Sequence, residues 1–393
     1  MSTVLEPVAS PRISAQSRSI VLDWAWHAYA VVAAAGMVVV GLMWDISWHM
    51  SIGRDTFWTP AHLLIQIGGL LAGVSSGLLA LHTTFRGTPE ARASAVSFWG
   101  FLAPLGAWVS VLGCGAMLTS APFDDWWHNA YGLDVRIVSP PHILLGLGMM
   151  GIVLGALLRT LALQNESDGA TRKRAALMFA VSSGFFLTIL AILLFESAPR
   201  GRMHSPTFYI TLSRVLPLLL VAVAVAGRGR WPATTAALVY TVLVALEAWV
   251  LMLFPATPKL GPIYQNITHY VPVDFPLLLV IPAFALDLTW RRVSDRSWWL
   301  ASIALGAAFL VTFVAVQWPF ADLLIRHGRN WFFHIDNFVY WRPPSTEHFA
   351  YEFRPPRPDD PSMIAGFGIA LLSATVASAI GRVWGRWMTR VRR

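Results

Sequence analysis

From Trp24 onward the chain returns repeatedly to stretches of about twenty apolar residues, each long enough to cross the roughly 30 Å hydrocarbon layer of a bilayer as a helix. Lipid offers no partner to a backbone N–H or C=O, so a span must satisfy its own backbone, and continuous apolar runs of this length do so as α-helices. Ten stretches qualify, at 24–48, 59–82, 95–120, 139–162, 174–197, 206–227, 232–254, 270–290, 297–319 and 362–381. The expected fold class is therefore all-α, a polytopic integral membrane helix bundle of about ten transmembrane helices. Composition agrees, since a chain that is 56% hydrophobic and 13% charged is far too apolar for an ordinary soluble domain. The first run reads as a retained span, because the residues around Asp23 lack the basic flank and cleavage site of a signal peptide.

Lys and Arg in short loops resist translocation, so their distribution predicts orientation. With the N-terminus in the cytoplasm, the inner segments hold Arg12 and Arg18, Arg86 and Arg92, and Arg159, Arg172, Lys173 and Arg174. Arg228, Arg230, Arg291, Arg292, Arg296 and the basic tail from Arg382 fall on the same side. The outer segments, with Arg54, Arg136, Arg200, Arg202, Lys259 and five arginines in 320–361, hold ten cations against eighteen inside. Both termini are thus expected to be cytoplasmic. The net charge of +8 is mostly this topology, and it gives a nucleic-acid partner little support. The single cysteine, Cys114, excludes an intramolecular disulfide or a thiolate cluster. Most of the tryptophans fall near span ends, as interfacial belts require.

The stretch WDISWHMSIGRDTFWTPAH, residues 44–62, puts an acid and two histidines where one apolar run meets the next. It recurs as FDDWWHNAYGLDVRIVSPPHILLGLG, residues 123–148. Asp45, His49, Gly53 and Asp55 match Asp124, His128, Gly132 and Asp134 at one offset of 79, and His62 matches His142 after one inserted residue. The offset covers two spans, so both copies run the same way through the bilayer and place their polar residues on the outer side. In the second copy, Asp124 and His128 lie either on an outward extension of span 3 or on a short interfacial helix before span 4.

Residues i and i+4 of a helix share a face, so Asp45 and His49 can present a carboxylate and an imidazole to one point. His62, just behind Pro60 at the start of the next helix, supplies a third group. Two imidazoles and a carboxylate suit copper, zinc or non-haem iron and leave coordination positions open. Asp124, His128 and His142 form a second such set. A solitary Asp-x3-His at an interface is an ordinary solvated helix end, and it is the duplication that favours metal. Asp55 and Asp134 would accept from imidazole N–H groups or cap the following helices. Asp125 reads as a neighbouring solvated acid, with substitution for Asp124 as the alternative.

The sequence Asp45-x3-His49-x12-His62 resembles the copper-binding motif of the membrane C subunit of particulate methane and ammonia monooxygenases. Asp124-x3-His128-x13-His142 resembles the second copper site of that subunit, except that Asp124 stands where the family has Asn. The resemblance covers residues 45–148. It implies a copper-dependent oxidoreductase of a bacterial-type inner membrane, with the two sets as metal ligands facing the periplasm. It also implies dioxygen as oxidant, a small or apolar substrate arriving through the lipid, and partner subunits or a homo-oligomer. The alternative is a membrane copper- or zinc-binding or transport protein without oxygenase activity. An assembly or sensor protein that uses the sites structurally is a third reading.

The expected organisation is a cytoplasmic tail (1–23), the duplicated two-span repeat (24–162), a membrane bundle (163–319), an outer loop or lid (320–361), and a last span with a basic tail (362–393). Outside the repeat, His204, His269, His334, His348, Glu196, Asp274, Asp322, Asp336, Glu347 and Glu352 fall on or near the outer side, whereas His27 and His82 lie toward the inner one. Glu247 and Asp287 lie within or near the ends of late spans, where an acid is a functional candidate by default, although Asp287 also comes within reach of Arg291 at the inner interface. The glycines of Gly68-Gly69-x3-Gly73 and Gly146-x-Gly148-x2-Gly151 predict close helix packing. No phosphate-binding loop and no Ser/Cys–His–acid signature stands out.

Overall fold

The computed structural model describes residues 25–53, 56–132, 139–194, 197–198, 200–334, 339–341 and 360–392. Among them, ten helices of at least fourteen residues account for most of the chain: α1 (Ala25–Ser51), α2 (Pro60–Arg86), α3 (Leu105–Tyr131), α4 (Pro140–Glu166), α5 (Gly169–Leu194), α6 (Pro206–Ala226), α7 (Pro232–Leu251), α8 (Val280–Val293), α9 (Trp298–His327) and α10 (Met363–Met388). All but α8 are long and apolar enough to cross a membrane, which makes this a multi-pass membrane protein of all-α class. Pro60, Pro140, Pro206 and Pro232 each open a helix, where a missing N–H costs nothing.

The eighth expected span, 270–290, departs from the sequence reading. Only Val280–Val293 is helical, and 14 residues rise about 21 Å, short of a bilayer. The cause is local: Pro272 and Pro276 lack N–H groups and disfavour helical backbone before them. Residues 270–279 stay non-helical, and side chains of other helices satisfy this backbone. Ser51 Oγ accepts from Val271 N (2.7 Å), Ser47 Oγ donates to Val271 O (2.6 Å), Tyr240 Oη accepts from Leu277 N (3.0 Å), and Gln317 Oε1 accepts from Leu278 N (3.0 Å). The third span also begins later than expected, at Leu105. The preceding residues form a short hairpin, β1 (Val96–Phe98) and β2 (Phe101–Ala103), that turns through Trp99 and Gly100 with positive φ. At the other end α9 continues through His327, so the first eight residues of the expected loop 320–361 are helical.

The repeat forms two helical hairpins, α1–α2 and α3–α4, with α2 packed on α3 and α1 on α4. The predicted glycine faces pack as expected. Gly68 meets Ala34 and Val38 of α1, and Gly69 meets Met117 of α3. Gly148 and Gly151 stand directly against Gly113, although Gly146 faces open space. The second half packs around α6, with Phe179, Phe208, Tyr209, Phe309 and Phe313 in its core. Asp287 takes a structural role there. Its carboxylate accepts from Ala233 N (3.3 Å), Thr234 N (2.9 Å) and Thr234 Oγ1 (2.7 Å), capping α7, whose own N-cap residue Trp231 cannot. Arg159, counted with the inner loops from sequence, is buried within α4.

Candidate metal centre

The end of α1 carries Asp45 and His49 one turn apart. The helix stops because Gly53 takes φ +82°, a left-handed conformation that costs a β-carbon-bearing residue energy. The chain then enters a tight turn. Thr56 N donates to Thr59 Oγ1 (3.0 Å) and Thr59 N donates back to Thr56 O (2.9 Å), so the Thr59 hydroxyl holds the turn instead of capping α2. Pro60 starts α2 and returns the chain so that His62 faces Asp45.

His62 Nε2 lies 3.0 Å from Asp45 Oδ1, and His49 Nε2 lies 3.8 Å from Asp45 Oδ2. One ligand atom from each of Asp45, His49 and His62 falls within 4.8 Å of the other two. Ligand atoms on a transition ion at about 2.0–2.1 Å stand roughly 3–3.4 Å apart, so a small side-chain rotation closes the set. The tautomer of His62 follows from its other nitrogen. Nδ1 lies 2.9 Å from Thr56 O, and a carbonyl can only accept, so Nδ1 carries the proton. In the neutral ring Nε2 is then a lone pair aimed at a carboxylate oxygen. Asp45 Oδ1 is itself buried and makes no hydrogen bond. Two acceptors converging at 3.0 Å repel each other unless a cation or an added proton lies between them. A backbone carbonyl behind the imidazole is also the usual orienting partner of a metal-bound histidine.

The second set is built by the same logic. α3 runs unbroken through Pro122 to Tyr131, so Asp124 and His128 lie on a continuation of the third span's helix and not on a separate short helix. Gly132 ends it with φ +87°, matching Gly53 in the repeat. Ser139 caps α4 by accepting from the backbone N of His142 (3.4 Å). Asp124 lies 3.4 Å from His128 Nε2 and 3.6 Å from His142 Nε2. His128 Nδ1 is 3.2 Å from Gly132 O, which in the neutral ring leaves Nε2 as the lone pair facing the acid, and Asp124 Oδ1 is buried like Asp45 Oδ1. Asp125 turns elsewhere, to Asn129.

Among the described residues only the first set brings three ligand atoms within 4.8 Å of one another. The second half of the chain braces it. Ser47 and Ser51 bond Val271, Lys259 N donates to Ile52 O (2.9 Å), Trp48 packs on Tyr270, and Tyr340 covers Gly53 so closely that a Cβ there would overlap its hydroxyl. Nothing in the sequence of residues 44–62 signals this brace. The carbonyls of Thr56 and Gly132 were also missed, because a backbone acceptor has no residue-type signature. Asp55 and Asp134, expected to support the imidazoles, lie outside the described residues, as do Glu196, Asp336, Glu347, His348 and Glu352.

Elsewhere, His204 pairs with Asp322 (3.2 Å) against Trp318, joining α9 to the start of α6. His269 contacts Thr268 (2.9 Å). His334 is buried beside Phe275 with φ +44°, and His27 is buried against Ser76 (3.1 Å), far along α1 from Asp45. Compared with known proteins, the chain matches no family model, no curated protein and no solved structure. The resemblance to the copper monooxygenase subunit therefore rests on the two ligand motifs and their order.

Proposed function

We propose that this protein is a membrane metalloprotein that holds a transition-metal ion, copper in the first instance and zinc or iron otherwise, on Asp45, His49 and His62. Asp124, His128 and His142 hold a second ion. One observation carries this reading: ligand atoms of Asp45, His49 and His62 converge within 4.8 Å of one another, with His62 Nε2 3.0 Å from Asp45 Oδ1 and its Nδ1 held on Thr56 O. We extend it, on the motif resemblance, to a copper-dependent monooxygenase that oxidises a small or apolar substrate with dioxygen at the outer face. The ion would supply redox chemistry and oxygen binding. The protein's own residues do the rest. Thr56 O and Gly132 O orient His62 and His128, and Ser47, Ser51 and Tyr340 hold the end of α1 in place. The apolar walls of α1 and α2 keep the region open to solutes dissolved in lipid.

Metal analysis of the purified protein tests the ligand assignment. Wild type is expected to retain two ions per chain, His49→Ala and His128→Ala one each, and the double variant none. Metal contents unaffected by either substitution overturn the assignment. Oxygen uptake with short hydrocarbons or ammonia then tests the oxidase reading. Full metal occupancy without substrate-dependent uptake would make the protein a metal-binding or transport protein instead.

A further inference from the structure

The interrupted eighth span carries a feature that the metal sites do not use. Glu247 on α7 is only 8% exposed, and among the described residues neither of its carboxylate oxygens has a hydrogen-bond partner. Its helical register shows what it faces. Tyr240, Glu247 and Leu251 lie at i, i+7 and i+11, one stripe of α7. At one end of the stripe the Tyr240 hydroxyl accepts from Leu277 N (3.0 Å), and at the other Leu251 packs with Tyr270. The non-helical segment 270–277 is thus held at both ends of the stripe on which Glu247 lies.

An ionised carboxylate buried without a donor or a cation is too costly to persist, and such a group takes up a proton or a cation. A metal cation needs several oxygen ligands, and among the described residues neither Oε has a hydrogen-bond partner. A proton needs only the carboxylate itself. Non-helical backbone at membrane depth is tolerated where it is buried in protein or lines a watered cavity, and interrupted helices are where membrane proteins place exchangeable ions. We propose that Glu247 is a proton-exchanging carboxyl in the membrane interior, and that the interruption at 270–279 is its route to water. The exchange is balanced in itself: the carboxyl releases a proton to water and takes one back.

Among the described residues, the ionisable groups on the elements around it are these. Tyr240 and Tyr270 bound the stripe and Asp274 lies between them, while His334 stands behind Phe275. Asp45 lies on α1, one turn before the Trp48 that packs on Tyr270. Asp287 of α8 is occupied at the far end of α7. α5 carries its cations Arg172, Lys173 and Arg174 at its opposite end, and Arg214 of α6 is exposed.

Infrared difference spectra of wild type minus Glu247→Gln, in lipid vesicles, test the proposal. The expected result is a protonated-carboxyl stretch present only in wild type that shifts on transfer to deuterated water. Its absence, or a band that deuteration leaves in place, overturns the proposal. Labelling with a hydrophobic carbodiimide supplies a second readout. The reagent adds to a protonated carboxyl, whose proton passes to the carbodiimide nitrogen as the acylurea forms. Adduct at Glu247 should fall about tenfold per pH unit above the group's midpoint and vanish in Glu247→Gln. Adduct formation independent of pH would sink the idea. Asp45→Asn should leave both readouts unchanged, which separates this site from the metal centre.

Discussion

Replacing His62 with Ala separates a metal ligand from an ordinary ion pair by magnitude. In the metal-free protein the Asp45–His62 contact is partly solvated, with side chains 19% and 24% exposed. A pair of that kind contributes about 0–1 kcal/mol, and the Nδ1 bond to Thr56 O adds at most about 1 kcal/mol. The metal-free variant should therefore unfold close to wild type. With metal present the accounting differs. Losing a residue that merely orients a ligand costs about 10–100-fold in affinity, and losing the ligand itself costs at least as much. At a free metal concentration of about 100 Kd, wild type gains roughly 2.7 kcal/mol from this site. A variant bound 100-fold more weakly gains only about 0.4 kcal/mol under the same conditions. Thermal unfolding in detergent, with and without Cu(II) or Zn(II), reads the difference, and elemental analysis should show one ion lost per chain. His82→Ala, at the other end of α2, is the control. The reasoning fails if His62→Ala keeps the full metal-dependent shift, or if the metal-free variant is destabilised as much as the metal-bound one.

Ser47→Ala combined with Ser51→Ala leaves Val271 N–H and C=O buried without partners. At about 1–3 kcal/mol for each, thermal stability should fall clearly, and metal retention at the first set should fall more than at the second. Gly132→Ala forces a left-handed φ on Ala at a cost of about 1–2 kcal/mol. Gly53→Ala adds overlap with Tyr340 to the same strain, so circular-dichroism melts should rank it the more damaging. Gly113→Ala sets a Cβ 2.8 Å from Gly148 O, so separating α3 from α4 should cost about 1–3 kcal/mol and loosen the second set, seen as faster metal loss to a chelator.

The departures from the sequence reading have specific causes. Periodic apolar runs cannot distinguish an apolar stretch that forms helix from one that stays extended against other helices, and residues 270–279 are the second kind. Pro272 and Pro276 were the available signal. The apolar hairpin at 96–103 was absorbed into the third span for the same reason. Likewise Asp287 is an intramembrane acid by sequence, and only the approach of α7 turned it into a cap.

What the sequence determined alone is local and periodic: long apolar runs that must be helices in lipid, and the spacing that sets Asp45 with His49 and Asp124 with His128 on single faces. The duplication also marked His62 and His142, because each stands at the start of the next helix. Tertiary structure decided what depends on chain remote in sequence. The brace from Val271, Lys259 and Tyr340 holds the first set, and burial on α7 leaves Glu247 without a hydrogen-bond partner among the described residues. Spacing specifies which side chains can share a face, but whether their atoms converge is settled by whatever packs behind them.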